Sequence, residues 1–431
     1  MVQLSFVVIN WADKAILGLI AGPVMKEFGL SAAQFGFVGS SFSFLFSITA
    51  LVGGVIADRT SLRWMMFALA ALWSLTTVPV LAAGTFGALL ASRIALGAAE
   101  GPAAGVAHSL TYTWFPNDRR GLPAAVLTSG TSISKIAFAP LLAVVIAAFG
   151  WRAGFVALAI AALVWCLLWL SVGRTGPYAA RPTSTTAEAT SPGAKGPHGQ
   201  VPARVSLLRV VCTGTFIGLV TTFIAQYALV SVILTWLPSY FRAVWGFSEV
   251  RSGSLLGLPS ITGMACVVLA GWLTDRLLRR GVSSRAARGA VGGIAVALGG
   301  VALALIPVIS SPVVGVALLL IGYGLAASVQ AVANPAIVEL VPPACRSSVL
   351  GVFLAIGYLG GLVAPWLTGV VVDGAPDPAT GYGRAFQIFG VALVVTGLLC
   401  LMIVNPERDA RRLAGQRTRG FDHRTGANCH S

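Results

Sequence analysis

Charge is what this chain has least of. Only 10% of its 431 residues are Asp, Glu, Lys or Arg, and the acids number 14, where soluble domains carry about 25% charged residues. So little charge excludes a solvated surface over most of the chain. The formal charge of +15 lies in short clusters between long apolar runs, and no soluble domain is large enough to offer a nucleic-acid-binding face. The six cysteines (Cys166, Cys212, Cys266, Cys345, Cys400 and Cys429) are scattered without a CxxC pair, which excludes a disulfide framework and a zinc site. With four histidines and no GxSxG elbow, an integral-membrane enzyme has no chemistry to rest on, so neither enzymatic activity, cofactor nor metal is expected. A basic leader is missing too, since the first positive residue is Lys14, and residues 2–22 read as a retained first span. That span begins almost at Met1, so either the start codon lies upstream or the chain is naturally short.

What is abundant is apolar sequence, 56% of the chain. A helix needs about 20 mostly apolar residues to cross the hydrocarbon core, and twelve segments qualify: 2–22, 33–57, 64–83, 85–113, 121–148, 151–172, 210–238, 250–274, 287–309, 312–340, 347–372 and 383–404. Each must be helical, because a chain in lipid has to satisfy its own backbone hydrogen bonds. With both termini on one side, 21 Lys/Arg fall in the loops and tail of that side and five on the other, and three more lie within spans. The positive-inside rule makes the rich side cytoplasmic. Residues 173–208, rich in Gly, Pro, Ser and Thr, read as a flexible cytoplasmic linker between six-helix bundles at 1–172 and 209–404. A basic cytoplasmic tail follows at 405–431.

The halves repeat. "GLSAAQFGF…GGVIADR" at 29–59 matches "GFSEVRSGS…AGWLTDR" at 246–276 with a constant offset of 217, so that Gly29/Gly246, Ser31/Ser248, Gly36/Gly253, Gly54/Gly271, Asp58/Asp275 and Arg59/Arg276 coincide. Repeated halves around a linker imply a transporter with its site near the midplane between them.

On these residues the chain resembles the major facilitator superfamily. "GGVIADRTSLRW" is similar to that family's loop 2–3 signature, with Gly54, Asp58, Arg59 and Arg63 in place, and "GWLTDRLLRRG", with Asp275 and Arg276, is similar to its degenerate second copy. "NWADK" (10–14), "RIALGAAEGP" (93–102), "WFPNDRRG" (114–121), "WLPSYF" (236–241) and "GVFLAIGYLGGLVAPWLTG" (351–369) together resemble the anion:cation symporter branch of sugar-acid and phthalate-type permeases and organic-anion carriers. The resemblance implies an all-α integral membrane protein, twelve transmembrane helices in two pseudo-symmetric bundles, working as a monomer in a bacterial inner membrane among its lipids. It implies uptake of a small organic carboxylate with protons, with an anion exchanger or proton-driven exporter as the alternative. Three departures stand out: Lys14 replaces the branch's arginine, Phe46 a tyrosine, and Leu354 and Tyr358 two asparagines. Fewer hydrogen-bonding groups favour a flatter or more apolar carboxylate over a heavily hydroxylated one.

Ionisable residues inside a membrane are costly, about 2.5–3.5 kcal/mol each at a helix centre, and mark function when they pair or line a wet cavity. Five lie well inside the spans: Asp13, Lys14, Arg93, Glu100 and Lys135. Arg93 and Glu100, two turns apart, share one face of span 4 and can look into one cavity. By resemblance Asp13 and Glu100 are proton carriers and Arg93 the substrate-carboxylate anchor, with Lys14 in its neighbour's role. In the resulting scheme neutral Glu100 frees Arg93 for the substrate, and Glu100 reclaims it once deprotonated. Two readings stand for Lys135, a substrate contact or a lysine snorkelling to an interface, and its mid-span place favours the first. His108, nearer a span end, reads as a packing histidine. Phe46, Gln226, Asn334 and Tyr358 are further substrate-site candidates, beside the weaker polar candidates Tyr227, Tyr323 and Gln330. The Asp58–Arg59 and Asp275–Arg276 pairs read as gate-stabilising loop contacts.

Overall fold

A computed structural model describes residues 2–57, 60–116, 121–178, 207–342 and 346–414. Among them the chain is almost wholly helical, and 11 helical segments are long and apolar enough to cross a membrane. Span 1 is Val2–Phe28, span 2 Ala32–Ala57, span 3 Leu62–Ala83, span 5 Leu122–Phe149 and span 6 Trp151–Val172. The second half holds span 7 (Gly214–Trp245), span 8 (Glu249–Arg279), span 9 (Arg285–Val308), span 10 (Pro312–Glu339), span 11 (Val349–Asp373) and span 12 (Pro378–Ile403). The remaining crossing, span 4, is two helices, Phe86–Glu100 and Ala103–Tyr112, separated by Gly101 and Pro102. Proline has no N–H to continue the ladder, which is why the helix divides there. Spans 1 and 7 outrun their apolar sequence, so that Lys26 and Arg242 ride on their last turns.

The repeat is physical. Gly29 and Gly246 end spans 1 and 7 in the same left-handed conformation, with φ of 62° and 64°, a region that side chains with a Cβ avoid. Two residues on, Ser31 and Ser248 play the same part: each hydroxyl accepts the backbone N–H three residues ahead, from Gln34 and Arg251 at 3.2 and 3.3 Å. These are N-caps that satisfy otherwise orphaned amides at the starts of spans 2 and 8.

Glycines then bring the halves together. A Cβ on Gly18 would lie 2.3 Å from the Leu234 carbonyl oxygen, one on Gly36 2.2 Å from that of Pro365, and one on Gly369 2.2 Å from that of Ala32. Span 1 therefore packs backbone-to-backbone on span 7, and span 2 on span 11. The symmetry-related seam joins span 5 to span 8, where a Cβ on Gly253 would meet that of Ala143 at 2.5 Å. Small residues at helix contacts are how membrane bundles gain van der Waals contact when lipid gives no hydrophobic drive.

At the Gly29 end this packing is fastened by polar bonds across the halves. The Asp373 carboxylate accepts the Ala32 and Ala33 N–H groups at 2.9 and 2.7 Å, capping span 2 from span 11. The Ser40 hydroxyl accepts the Trp366 N–H at 3.1 Å. An anion on a helix N-terminus is favourable both as acceptor and against the helix dipole. At the opposite end, a helix over 406–414 is tied back to span 7 by Asp409, which accepts from the Thr215 amide and hydroxyl at 2.9 and 2.7 Å. Burial pushes the Asp409 carboxyl up, but the hydrogen bonds from Arg408 and Thr215 outweigh it and hold the group below its usual range.

The Asp373 cap predicts that Asp373→Asn loosens the Gly29 end. With Ser43→Cys as the single thiol, labelling through that end should quicken severalfold in the variant. An unchanged rate would show that helix packing alone holds the end shut.

Candidate substrate and proton site

Span 1 supplies the centre of the site. Asn10, Asp13 and Lys14 fall within five residues, so little more than one helical turn presents an amide, a carboxylate and an ammonium to the bundle interior. Asp13 is 1% exposed and Asn10 6%. Span 4 adds Arg93 and Glu100, 2% and 1% exposed, and span 5 adds Lys135 at 8%. All five charges that the sequence placed inside the membrane are thus gathered in the first bundle.

Their pairing differs from the expected one. Arg93 does not pair with Glu100: its Nη2 lies 3.5 Å from Asp13 Oδ1, and its Nη1 donates to the Asp13 backbone carbonyl at 3.4 Å. Glu100 pairs with Lys14, Nζ to Oε2 at 3.2 Å, while Nζ also donates to Asn10 Oδ1 at 3.3 Å. Seven residues along a helix put Arg93 and Glu100 about 10 Å apart along the axis. The neighbouring acid and base of span 1 reach each of them separately, at that spacing. Two parallel pairs therefore stand where one was expected.

Both pairs are loose. The Asp13 and Glu100 carboxylate oxygens, with Arg93 Nε and Nη2, are buried without a well-directed hydrogen bond. A buried ion pair repays its desolvation only when geometry is good and the spare lone pairs are satisfied. These are not, so each pair is held by attraction in a low dielectric and is open to competition.

Aromatic rings cover the cations. Lys14 Nζ lies 4.6 Å from the Trp11 ring centre, 5.0 Å from that of Phe46 and 5.6 Å from that of Phe42. Arg93 rests 5.3 Å over Phe155, and Lys135 5.0 Å over Trp11. Such contacts are worth about 0.5–2 kcal/mol each. Among the described residues Lys135 has no carboxylate partner and no hydrogen-bond acceptor. It sits where span 5 widens into one π-helical turn, Ser134–Phe138, with the Ala139 N–H reaching back to the Ser134 carbonyl. Pro140, lacking an N–H for the Ile136 carbonyl, accounts for that local break in the ladder.

The second half closes the site. Tyr358 of span 11 packs on Phe46 at 5.6 Å and on Tyr227 of span 7 at 4.7 Å. Gln226 is buried with its Oε1 unpartnered. A cavity of about 50 Å³, room for a few waters, lies between the halves and is lined by Lys14, Arg93, Phe42, Ser43, Tyr227, Ser231 and Thr235, with Leu17, Gly39 and Leu234. Its four hydroxyls offset the hydrogen-bonding groups whose loss was read at Phe46, Leu354 and Tyr358. Ser43, Ser231 and Thr235 were not singled out from the sequence, though Tyr227, Ser231 and Thr235 recur every fourth residue on one face of span 7. Trp11, between two lysines, was quoted in a motif without a role.

Other candidates lie elsewhere. Asn334 is half-buried on span 10 and, among the described residues, shares no ion pair, hydrogen bond or ring contact with the cluster. His108 bonds the Ala104 carbonyl through Nδ1 at 2.9 Å and meets the Tyr112 ring edge-on, as a packing histidine would. Of the gating motif, Gly54 is in span 2, Asp58 and Arg59 lie outside the described residues, and Arg63 donates to the Leu170 carbonyl at 3.2 Å. Asp275 is exposed, and Arg276 stacks on Trp272 of its own helix at 5.1 Å.

Known proteins resemble this chain in sequence and fold. The family model of the Major Facilitator Superfamily matches residues 4–365. A hexuronate transporter of Bacillus subtilis (strain 168) is 28% identical over 418 residues, covering 93% of this chain and 92% of the relative. A probable galactarate/D-glucarate transporter of the same organism is 26% identical, covering 92% and 89%. A bacterial homologue of the human lysosomal transporter Spinster, solved inward-facing and occupied, has the same fold with a TM-score of 0.77 at 16% identity, covering 95% of this chain and 96% of that one.

The pairing predicts how variants combine. Removing one partner of a buried pair costs about 3–5 kcal/mol because a charge is stranded, so Glu100→Gln and Lys14→Met should each lower the melting temperature in detergent. The double variant Lys14→Met/Glu100→Gln should recover most of the loss, and Arg93→Met/Glu100→Gln should not. Recovery with Arg93 instead would return Glu100 to the partner first expected.

Proposed function

This chain belongs to the major facilitator superfamily of membrane transporters, and on that premise we propose that it takes up an organic carboxylate anion together with protons by alternating access. The single observation that carries this reading is the pair of loose, buried ion pairs, Asp13–Arg93 and Glu100–Lys14. The names of the two Bacillus subtilis relatives, a hexuronate and a galactarate/D-glucarate transporter, support an organic acid as the cargo.

With both acids ionised, the three buried cations and two carboxylates sum to +1. Protonating Asp13 releases Arg93, and protonating Glu100 releases Lys14. Each proton thus frees one cation in a cavity already lined by both, and the anion takes the vacated bonds. Arg93 offers a planar fork matched to a carboxylate and Lys14 a point charge. The hydroxyls of Ser43, Tyr227, Ser231 and Thr235 orient the cargo's polar groups, while Phe46 and Tyr358 form its apolar wall, with Gln226 behind. When the acids lose their protons on the other side, they compete for their cations and expel the anion. Proton and anion are coupled because they use the same two cations, one by removing the competitor and the other by replacing it.

The positive charge of the loops supports a cytoplasmic side for both termini and for the 173–208 linker. The capped Gly29 end is then external, and the conformation described is the one closed to the outside. The bundles at 1–172 and 209–404 rock about the glycine seams of spans 1–7, 2–11 and 5–8, with Asp275 and Arg276 at the cytoplasmic end of span 8. Residence in a bacterial inner membrane as a functional monomer fits this architecture.

The test is proteoliposomes holding a pH-sensitive dye. An external organic acid should acidify the lumen of vesicles with the wild-type protein. Glu100→Gln should about halve the protons carried per labelled anion, leaving the Asp13 proton, and Asp13→Asn/Glu100→Gln should abolish the signal while exchange of labelled anion persists. Exchange without proton movement in the wild type would favour an anion exchanger on the same scaffold.

A further inference from the structure

Lys135 is the one charge of the cluster that the two-pair scheme leaves unused. It is 8% exposed, and its neighbour Ser134 carries a buried hydroxyl that also lacks a partner. Among the described residues the group facing it is the Trp11 indole, the ring that also holds Lys14. An uncompensated buried ammonium costs several kcal/mol, and the face of one ring returns only a fraction of that. Its backbone is fixed from the opposite bundle: a Cβ on Gly257 of span 8 would lie 2.6 Å from the Lys135 carbonyl oxygen. Lys135 therefore stands at the seam between the halves, one indole away from Lys14, which lines the cavity.

From this placement we infer that Lys135 is the specificity-determining anchor for a second anionic group, so that the preferred cargo is a dianion with charges at its two ends. One end takes Arg93 and Lys14, the other takes Lys135, and Trp11 sets the span between them. The inference rests on the carboxylate-transport reading above and narrows its substrate class.

Charge conservation favours the same conclusion. The empty cluster holds +1 with both acids ionised and +3 with both protonated. Two protons and a dianion together bring no net charge, so the loaded site returns to +1. The moving protein then buries the same charge whether loaded or empty, and no extra desolvation opposes the loaded crossing. A monoanion with two protons would leave +2 and carry that penalty. The cycle of two protons per dianion is electroneutral, and the accumulation it drives should not respond to membrane potential.

Glucarate and gluconate, which differ only in one terminal group, separate the possibilities. Labelled uptake into proteoliposomes should favour glucarate in the wild type, and the accumulation reached should be the same with or without a potassium-diffusion potential. Lys135→Gln should cut the glucarate-to-gluconate ratio tenfold or more, and Lys135→Arg should restore it, which a merely structural lysine would not do. An unchanged ratio in Lys135→Gln, or a wild type that carries gluconate alone, would overturn the inference while leaving carboxylate transport intact. A wild type that carries no carboxylate would overturn both.

Discussion

Everything in this protein is arranged around the cost of holding charge out of water. Span 1 carries an acid and a base side by side, and span 4 carries a base and an acid two turns apart. Neither helix pairs its own acid and base, because adjacent residues on a helix point in different directions and residues seven apart lie about 10 Å from one another along the axis. Together they make two pairs, each shared between helices. The pairs are long, at 3.2 and 3.5 Å, and poor in hydrogen bonding, which is what the proposed proton exchange requires. A tighter, fully bonded arrangement would be more stable and would have nothing to exchange.

The rest of the fold keeps that cluster buried and within reach of the second half. Glycines at positions 18, 36 and 369 let backbones touch, so the seams between the bundles are thin and few side chains would repack in the proposed rocking. The Asp373 cap and the Ser40–Trp366 bond fasten one end with groups that water can replace once the end opens. Such a closure is reversible in a way that a large apolar interface is not.

Much of this was legible in the sequence because it follows from strong physical constraints. The lipid phase dictates twelve apolar helices, and eleven have the length and composition to cross, the twelfth being divided at Pro102. The 217-residue offset marked the paired helix ends before Gly29 and Gly246 showed a common left-handed turn. The scarcity of intramembrane charge pointed to Asp13, Lys14, Arg93, Glu100 and Lys135, and the fold gathers all five. What the sequence could not supply was which charge meets which. Helical spacing shows that Arg93 and Glu100 share a face, but not that span 1 interposes a partner for each. Nor did composition mark Ser43, Ser231 and Thr235, since hydroxyls in apolar helices more often bond their own backbone. Asn334, a polar residue in span 10, shares no ion pair, hydrogen bond or ring contact with the cluster among the described residues.

The central claim is that anion and protons reach the site by exchanging places on Arg93 and Lys14. Infrared difference spectroscopy on the reconstituted protein tests it directly, by reading the carboxyl C=O stretch as an organic acid is added. Two protonated carboxyl bands should appear on anion binding, one lost in Asp13→Asn and the other in Glu100→Gln. Saturable anion binding with no new carboxyl band would contradict the account and leave the two acids as fixed structural partners of their cations.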